Sequence, residues 1–324
     1  MTLLTIIFFS LILMELLYFQ IAKKYNIIDK PNERSSHSTV TLRGGGIIFP
    51  IAGLLYFFLY GFSCPLFILG LVLISIVSFW DDIRPLPNKI RITVHFTALL
   101  LLFVQWGLFQ HYLLLVLPVL VLCAGIINAW NFMDGINGIT GGYSLVVLTG
   151  LAVADHFYTP FVEANLIAVF IVSLLIFNFF NFRTKAKCFA GDVGSVSIAF
   201  VVVFLLGAFM LAASDLSPIC FVAVYGTDSV LTIIHRLFLK ENIFKPHRKH
   251  LYQILANERK IPHIVVSLLY MGVQAGIIAG YFAVLHYGTP FVWTYIACVL
   301  AALIVVYVTV KSKWYHLHAN ALRT

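Results

Sequence analysis

The sequence predicts an all-α polytopic integral membrane protein of about eleven transmembrane helices, with the N-terminus outside and the C-terminus cytoplasmic. Three observations predict it. Of the 324 residues, 61% are hydrophobic and only 10% are charged, with a mean hydropathy of +0.98. A soluble domain is about 45–50% apolar and about 25% charged, so soluble, disordered, coiled-coil and secreted disulfide-rich classes are excluded. Eleven apolar runs meet or approach the ~20 residues that cross a bilayer. Finally, every Lys and Arg falls on alternate connections between those runs or in the tail, save Arg236 just inside the end of the ninth run, the asymmetry that marks cytoplasmic loops.

The runs fall near residues 2–22, 45–62, 64–80, 92–110, 112–131, 143–160, 164–182, 196–214, 218–238, 263–286 and 291–310. Asp155 and His156 cut the 143–160 run short. Basic residues follow the first run (Lys23, Lys24, Lys30, Arg34, Arg43), the third (Arg84, Lys89, Arg91), the seventh (Arg183, Lys185, Lys187) and the ninth, and they fill the tail. The net charge of +8 is therefore first a topology signal and only second a hint of anionic partners, with no nucleic acid expected among them. The chain reads as one transmembrane helical domain, 1–324. Loops 23–44, 81–91, 132–142, 183–195 and 239–262 all lie on its cytoplasmic face, where they are expected to form the active site. The five cysteines are far apart and include no Cys-x-x-Cys, so neither a disulfide framework nor a zinc site is expected.

Carboxylates in such a chain need a reason, since an Asp at a helix centre costs about 2.5–3.5 kcal/mol on insertion scales. Asp81 and Asp82 end the third run; adjacent carboxylates repel unless a cation is near. Asn128, Asn131 and Asp134 recur every three residues as the fifth run ends, which on a helix aligns them along one face. Gly135, Asn137 and Gly138 then open a turn where backbone can approach a ligand. Gly191-Asp192-Val193-Gly194-Ser195 offers a carboxylate, exposed amides and a hydroxyl, which suit a hard cation beside phosphate oxygens. His247, Arg248, His250 and Gln253 supply donors for a pyrophosphate. A fifth polar stretch runs from Asp29 to His37 and ends in Arg43-Gly44-Gly45-Gly46. Asp228, in the ninth run, is expected to pair with Arg236 or His235 in a structural role, while Glu15 has no evident partner. Acids, amides, imidazoles and a guanidinium on one membrane face suit phosphoryl transfer between a soluble nucleotide and a lipid phosphate, where positioning and charge neutralisation do the catalysis.

These residues resemble the polyprenyl-phosphate N-acetylhexosamine-1-phosphate transferase superfamily (glycosyltransferase 4 family). Asp81-Asp82 with Arg91, Asn128-x-x-Asn131-x-x-Asp134-Gly135, Gly191-Asp192-x-Gly194-Ser195 and His247-Arg248-x-His250-Leu251-Tyr252-Gln253 occur in order, between about residues 25 and 255. Pro31-Asn32-Glu33-Arg34-Ser35-Ser36-His37 with Arg43-Gly44-Gly45-Gly46 is similar to the WecA-like branch and absent from the MraY branch. The resemblance implies transfer of a sugar-1-phosphate, an N-acetylated hexosamine, from a UDP-sugar to undecaprenyl phosphate. Sugar-diphospho-undecaprenol and UMP would be the products, in the priming step of a cell-surface glycan. It implies Mg²⁺, or Mn²⁺ in its place, held by Asp192 and Asn131. Asp81, Asp82, Asp192, His247, Arg248 and His250 are the implied catalytic residues. Arg91, Asn128, Asn131, Asp134, Asn137 and Arg248 are the implied substrate-binding residues, with Asp134 and Asn137 facing uridine. The implied setting is the bacterial inner membrane, with the site on its cytoplasmic face, the bilayer as partner and room for a homodimer. One departure stands out: bacterial members commonly carry Asp where Asn137 stands. The alternatives are an MraY-type phospho-muropeptide transferase, a secondary transporter, whose acids should lie at the midplane, and a non-catalytic relative, which should lack an essential acid.

Overall fold

The computed structural model describes residues 2–31, 39–243 and 247–321, with side chains described up to residue 315. The Asn32–His37 stretch lies outside the described residues. Thirteen helices are present among them: α1 (Leu3–Lys24), α2 (Ile48–Leu59), α3 (Pro65–Ile83), α4 (Asn88–Gln105), α5 (Leu108–His111), α6 (Val116–Met133), α7 (Ile139–Phe157), α8 (Ala164–Asn181), α9 (Gly191–Ala213), α10 (Ala223–Phe238), α11 (Leu251–Gln253), α12 (His263–Leu285) and α13 (Thr289–Ala321). A helix lies at each of the eleven expected runs. Among the described residues eight helical stretches are long and apolar enough to cross a membrane, so the chain is an all-α membrane protein in its architecture.

Helix α9 is the axis of the bundle. Val193 to Leu206 is buried without interruption, because its residues are apolar all round and other helices surround it. It packs on α3, α6 and α7. Phe67 of α3 stacks on Phe204 at 4.0 Å between ring centroids, and Ser75 shares a hydrogen bond with Ser197 at 2.8 Å. A second buried knot joins α6, α7 and α10. Tyr143 stacks on Tyr225 at 3.7 Å, and Trp130 meets Tyr225 edge-on and donates from Nε1 to Ser144 at 2.9 Å. Side chains such as Leu114, Phe157 and Phe238 are exposed on the outside of the bundle, where a membrane protein meets hydrocarbon rather than water.

The all-α expectation misses a small hairpin. β1 (Ile28–Asp29) pairs antiparallel with β2 (Thr41–Leu42), and Leu42 also bridges to Cys188. Beyond β2, Gly45 and Gly46 donate to the carbonyls of Phe189 and Ala190 at 2.8 and 3.0 Å. The three glycines allow this contact: a Cβ on Gly46 would lie 2.1 Å from the Gly194 Cα. The loop before α2 is thereby fixed to the start of α9. Glu15 lies behind it, buried, with the Cys188 thiol 3.8 Å from Oε1.

Candidate active site

Asp82 stands in the last turn of α3 with its side chain sealed from solvent. Its carboxylate caps α9 from outside the helix. Oδ1 accepts the Asp192 N–H at 2.9 Å, and Oδ2 accepts the Val193 N–H at 3.0 Å. The first N–H groups of a helix lack partners within it, and a carboxylate there also meets the positive end of the helix dipole. Gly191, at φ +71°, leaves room for the cap: a Cβ on it would sit 2.5 Å from Asp82 Oδ2. Asp192 is therefore presented in the first turn of α9 rather than in a preceding loop.

Arg43 completes this group. Its Nε donates to Asp82 Oδ1 at 2.6 Å, and Nη2 lies 3.4 Å from Asp192 Oδ1. Burial works against the Arg43 charge, but Asp82 and Asp192 outweigh it and raise its pKa. The Arg43 carbonyl is held by the Tyr18 hydroxyl at 2.5 Å. Asp192 keeps 23% of its side chain exposed and senses the charges of Asp82, Arg43, Arg91 and Asp81. Asp81 is engaged separately. It accepts Arg91 Nη1 at 2.9 Å and the Leu86 N–H at 2.6 Å, closing the turn between α3 and α4.

Asp134 follows the last residue of α6. Burial, with the nearby charges of Asp192 and Asp82, pushes its carboxyl up to about 7. Asn131 is half-buried one turn earlier, whereas Asn128 is exposed and donates to the Ala124 carbonyl of its own helix at 2.9 Å. The three-residue repeat thus does not gather three side chains in one place, because α6 ends at Met133 and Asp134 leaves the helical path.

Asn137 is turned away from any open surface. Its Nδ2 donates to the Arg183 and Thr184 carbonyls at 2.8 and 3.3 Å, and its own carbonyl accepts Ser267 Oγ at 2.8 Å. It ties the turn before α7 to the loop after α8. A carboxylate cannot donate to two carbonyls, which gives the amide at this position a physical reason.

The 247–253 segment packs on the end of α6. The Tyr252 hydroxyl donates to the Phe132 carbonyl at 2.9 Å, and it fills the space a Cβ on Gly135 would need. Asp228 organises this segment from α10. It accepts the Leu251 N–H at 3.0 Å, the Tyr270 hydroxyl at 2.7 Å and the Thr232 hydroxyl at 3.2 Å, and it lies 3.3 Å from His250 Nδ1. The expectation that Asp228 pairs with Arg236 or His235 is thus corrected. Arg236 instead turns to Glu241 at 3.2 Å and to the Asn242 and Ile243 carbonyls at 2.6 and 3.0 Å.

A carboxylate only accepts, so His250 Nδ1 carries a proton toward Asp228. Nε2 is buried and has no hydrogen-bond partner among the described residues. His247 lies 4.9 Å from His250 between ring centroids. Burial, with His250, Arg236 and Lys311 nearby, lowers its pKa to about 3. It is therefore a neutral imidazole, not a cation. Arg248 is half-buried, and its charge and that of Asp134 both reach Tyr252. Asp134 thereby stands between the two halves, sensing Asp82, Asp192 and Arg43 on one side and acting on Tyr252 on the other.

Two side chains central to this geometry, Arg43 and Asp228, were not among the expected site residues. Arg43 had one available signal, a lone guanidinium directly before three glycines. Asp228 had another, an acid inside an apolar run.

Residues 64–210 match the model of glycosyl transferase family 4. The chain is 28% identical over 257 residues to a probable undecaprenyl-phosphate N-acetylglucosaminyl 1-phosphate transferase of Bacillus subtilis, covering 73% of this chain and 71% of that protein. It is 28% identical over 254 residues to the undecaprenyl-phosphate alpha-N-acetylglucosaminyl 1-phosphate transferase of Thermotoga maritima, covering 73% and 75%. It is also 28% identical over 228 residues to a phospho-N-acetylmuramoyl-pentapeptide-transferase of Dictyoglomus thermophilum, covering 64% and 70%.

Proposed function

We propose that the chain is a member of glycosyl transferase family 4, whose model its residues 64–210 match, and that it transfers a sugar-1-phosphate from a UDP-sugar to undecaprenyl phosphate. The sugar is an N-acetylated hexosamine, and the products are sugar-diphospho-undecaprenol and UMP. The reading rests above all on one observation: Arg43 joins Asp82 and Asp192, from the ends of two different helices, within hydrogen-bond reach of a single guanidinium. Arg91 and Asp134 lie close enough to act electrostatically on the same group. The names of the relatives support the same reaction.

In this proposal the site faces the cytoplasm of a bacterial inner membrane, and eleven spans place the N-terminus outside. The loops around Arg43, Asp81, Asp134, Asp192 and His250 form the pocket. The lipid phosphate attacks the β-phosphorus of the UDP-sugar. A phosphorus–oxygen bond forms to the lipid, the pyrophosphate bridge breaks, and UMP leaves with the electron pair. His250 Nε2 and Arg248 meet the phosphates from the α10 side, and Arg91 steadies Asp81 beside the lipid phosphate. His247 serves as a neutral hydrogen-bonding group.

The residues fit a hard divalent ion. Asp192 is partly exposed, its carboxylate has one long contact to Arg43 among the described residues, and Asn131 offers an amide oxygen one turn before Asp134, which lies close enough to Asp192 to feel its charge. Among the described residues no three His, Cys, Asp or Glu side chains are grouped so that they could hold a metal ion by themselves; Mg²⁺ takes one or two carboxylates and leaves places for water and substrate phosphates. Asp192 and Asn131 would hold it, and it would neutralise charge on the pyrophosphate oxygens.

The test is incubation of the purified protein with undecaprenyl phosphate, Mg²⁺ and a panel of UDP-sugars, followed by mass analysis of the lipid fraction. A sugar-diphospho-undecaprenol with matching UMP release is expected. Absence of any lipid product across the panel overturns the proposal. The similarity to the muropeptide transferase, over a smaller share of this chain, supports a second reading. UDP-N-acetylmuramoyl-pentapeptide in the panel decides between the two.

A further inference from the structure

Away from the acidic group, a cavity of about 620 Å³ opens between the C-terminal ends of α1 and α8 and the outer side of β2. Its volume is that of a small-molecule site. Lys23 from α1 and Arg183 and Lys187 from the loop after α8 line it, and none of its lining residues is acidic. The Arg183 guanidinium is fixed rather than free to swing: Nε donates to the Phe179 carbonyl at 2.6 Å, and the group lies 4.6 Å from the Phe179 ring centroid.

The other half of the wall is apolar. Phe19 and Phe180 meet edge to face at 5.0 Å, and Phe179 and Val40, which also line the cavity, are 64% and 58% exposed. Phe179 belongs to α8, one of the helices able to cross a membrane. The cavity therefore has a cationic side next to the α8–α9 loop and an apolar side continuous with the lipid-facing surface.

We propose that this cavity binds the phosphate headgroup of an anionic membrane lipid, with the first part of its acyl chain against Phe19, Phe179 and Val40. Three cations with no acid among the lining residues call for an anion. A free phosphate or a nucleotide would leave the aromatic wall unmatched, whereas a lipid satisfies both halves. The inference stands independently of the reaction proposed above.

Native mass spectrometry of the full chain tests it, with phosphatidylglycerol, phosphatidic acid, phosphatidylcholine and inorganic phosphate as probes. Both anionic lipids should bind at least tenfold more tightly than phosphatidylcholine, and millimolar inorganic phosphate should not displace them. Lys23→Gln with Lys187→Gln should weaken anionic-lipid binding about tenfold, Lys23→Arg with Lys187→Arg should preserve it, and Val40→Trp should block it by filling the mouth. The proposal is overturned if the Gln pair and Val40→Trp both bind anionic lipid as the unmodified chain does, if phosphatidylcholine binds equally, or if inorganic phosphate displaces the lipid. Should the Gln pair fail to fold, the Arg pair and Val40→Trp still decide.

Discussion

The Asp82 carboxylate accepts the backbone N–H of Asp192 at 2.9 Å, so one acid of the site positions the other. This separates their roles. Asp82, sealed and engaged by Arg43, Asp192 and Val193, holds the start of α9 in place. Asp192, partly exposed, faces the open side. Replacing Asp82 by Asn turns an amide N–H₂ against N–H donors and leaves Arg43 short of a charge partner. Loss of a cap alone costs about 0.5–2 kcal/mol. Asp82→Asn should lower both thermal stability and turnover, whereas Asp192→Asn should lose nearly all turnover with its melting temperature kept. Equal melting temperatures for the two variants would remove the capping role.

Asn137 offers a clean discrimination between structure and recognition. Its amide donates to two carbonyls, and a buried polar group left without its partner costs about 1–3 kcal/mol. Asn137→Asp should therefore lower stability by an amount of that order and leave the Michaelis constant for the UDP-sugar nearly unchanged. If the side chain contacts uridine instead, that constant shifts and stability does not. Thermal unfolding and initial-rate kinetics on one preparation separate the two.

The comparison of Asn137 with Asp82 also shows where sequence reading reaches its limit. The helices were legible because spanning a bilayer forces ~20 apolar residues into one run, and the acids at run ends stood out against them. Asp81, Asp82 and Asp192 were legible for that reason, and Arg91 as the basic residue that follows the acidic pair in the motif. Arg43 was legible only as a motif member, because its partners lie 39 and 149 residues away and no local period encodes such pairs. The β1–β2 hairpin was hidden because two-residue strands carry no alternation to detect. Asp228 drew attention as a buried acid, but its partner His250 lies 22 residues on, across a loop, while Arg236 and His235 were closer in sequence and lay in the same run.

The Asp228–His250 pair carries its own prediction. Asp228→Asn removes the charge that keeps the Nδ1 proton in place and weakens the anchor of the Leu251 N–H and the Tyr270 hydroxyl. The His250 ring is then no longer held in a fixed orientation toward the phosphates. Turnover should fall at least tenfold, and the pH–rate profile should shift. A variant that keeps the original pH–rate profile would show that Asp228 acts only on folding.

His247 provides the pH dependence. Its ordinary pKa is about 6.5, and burial with the neighbouring His250, Arg236 and Lys311 lowers it to about 3 in the fold. Between those values the unfolded chain binds a proton that the folded protein refuses. The unfolded state therefore carries more protons, and stability must fall as pH drops from about 6.5 toward 3. Above about 6.5 both states are neutral at this position, and His247 adds no slope. Thermal unfolding in detergent at pH 7.5, 6.5, 5.5 and 5.0 should show a loss that begins below 6.5. His247→Gln, which carries no titrating proton, should flatten part of that slope while leaving the melting temperature at pH 7.5 close to that of the unmodified chain. Direct titration of the ring by nuclear magnetic resonance checks the cause. A ring that protonates above pH 6 would mean that His247 acts as a cation, and would return it to the pyrophosphate-binding role expected from its sequence motif.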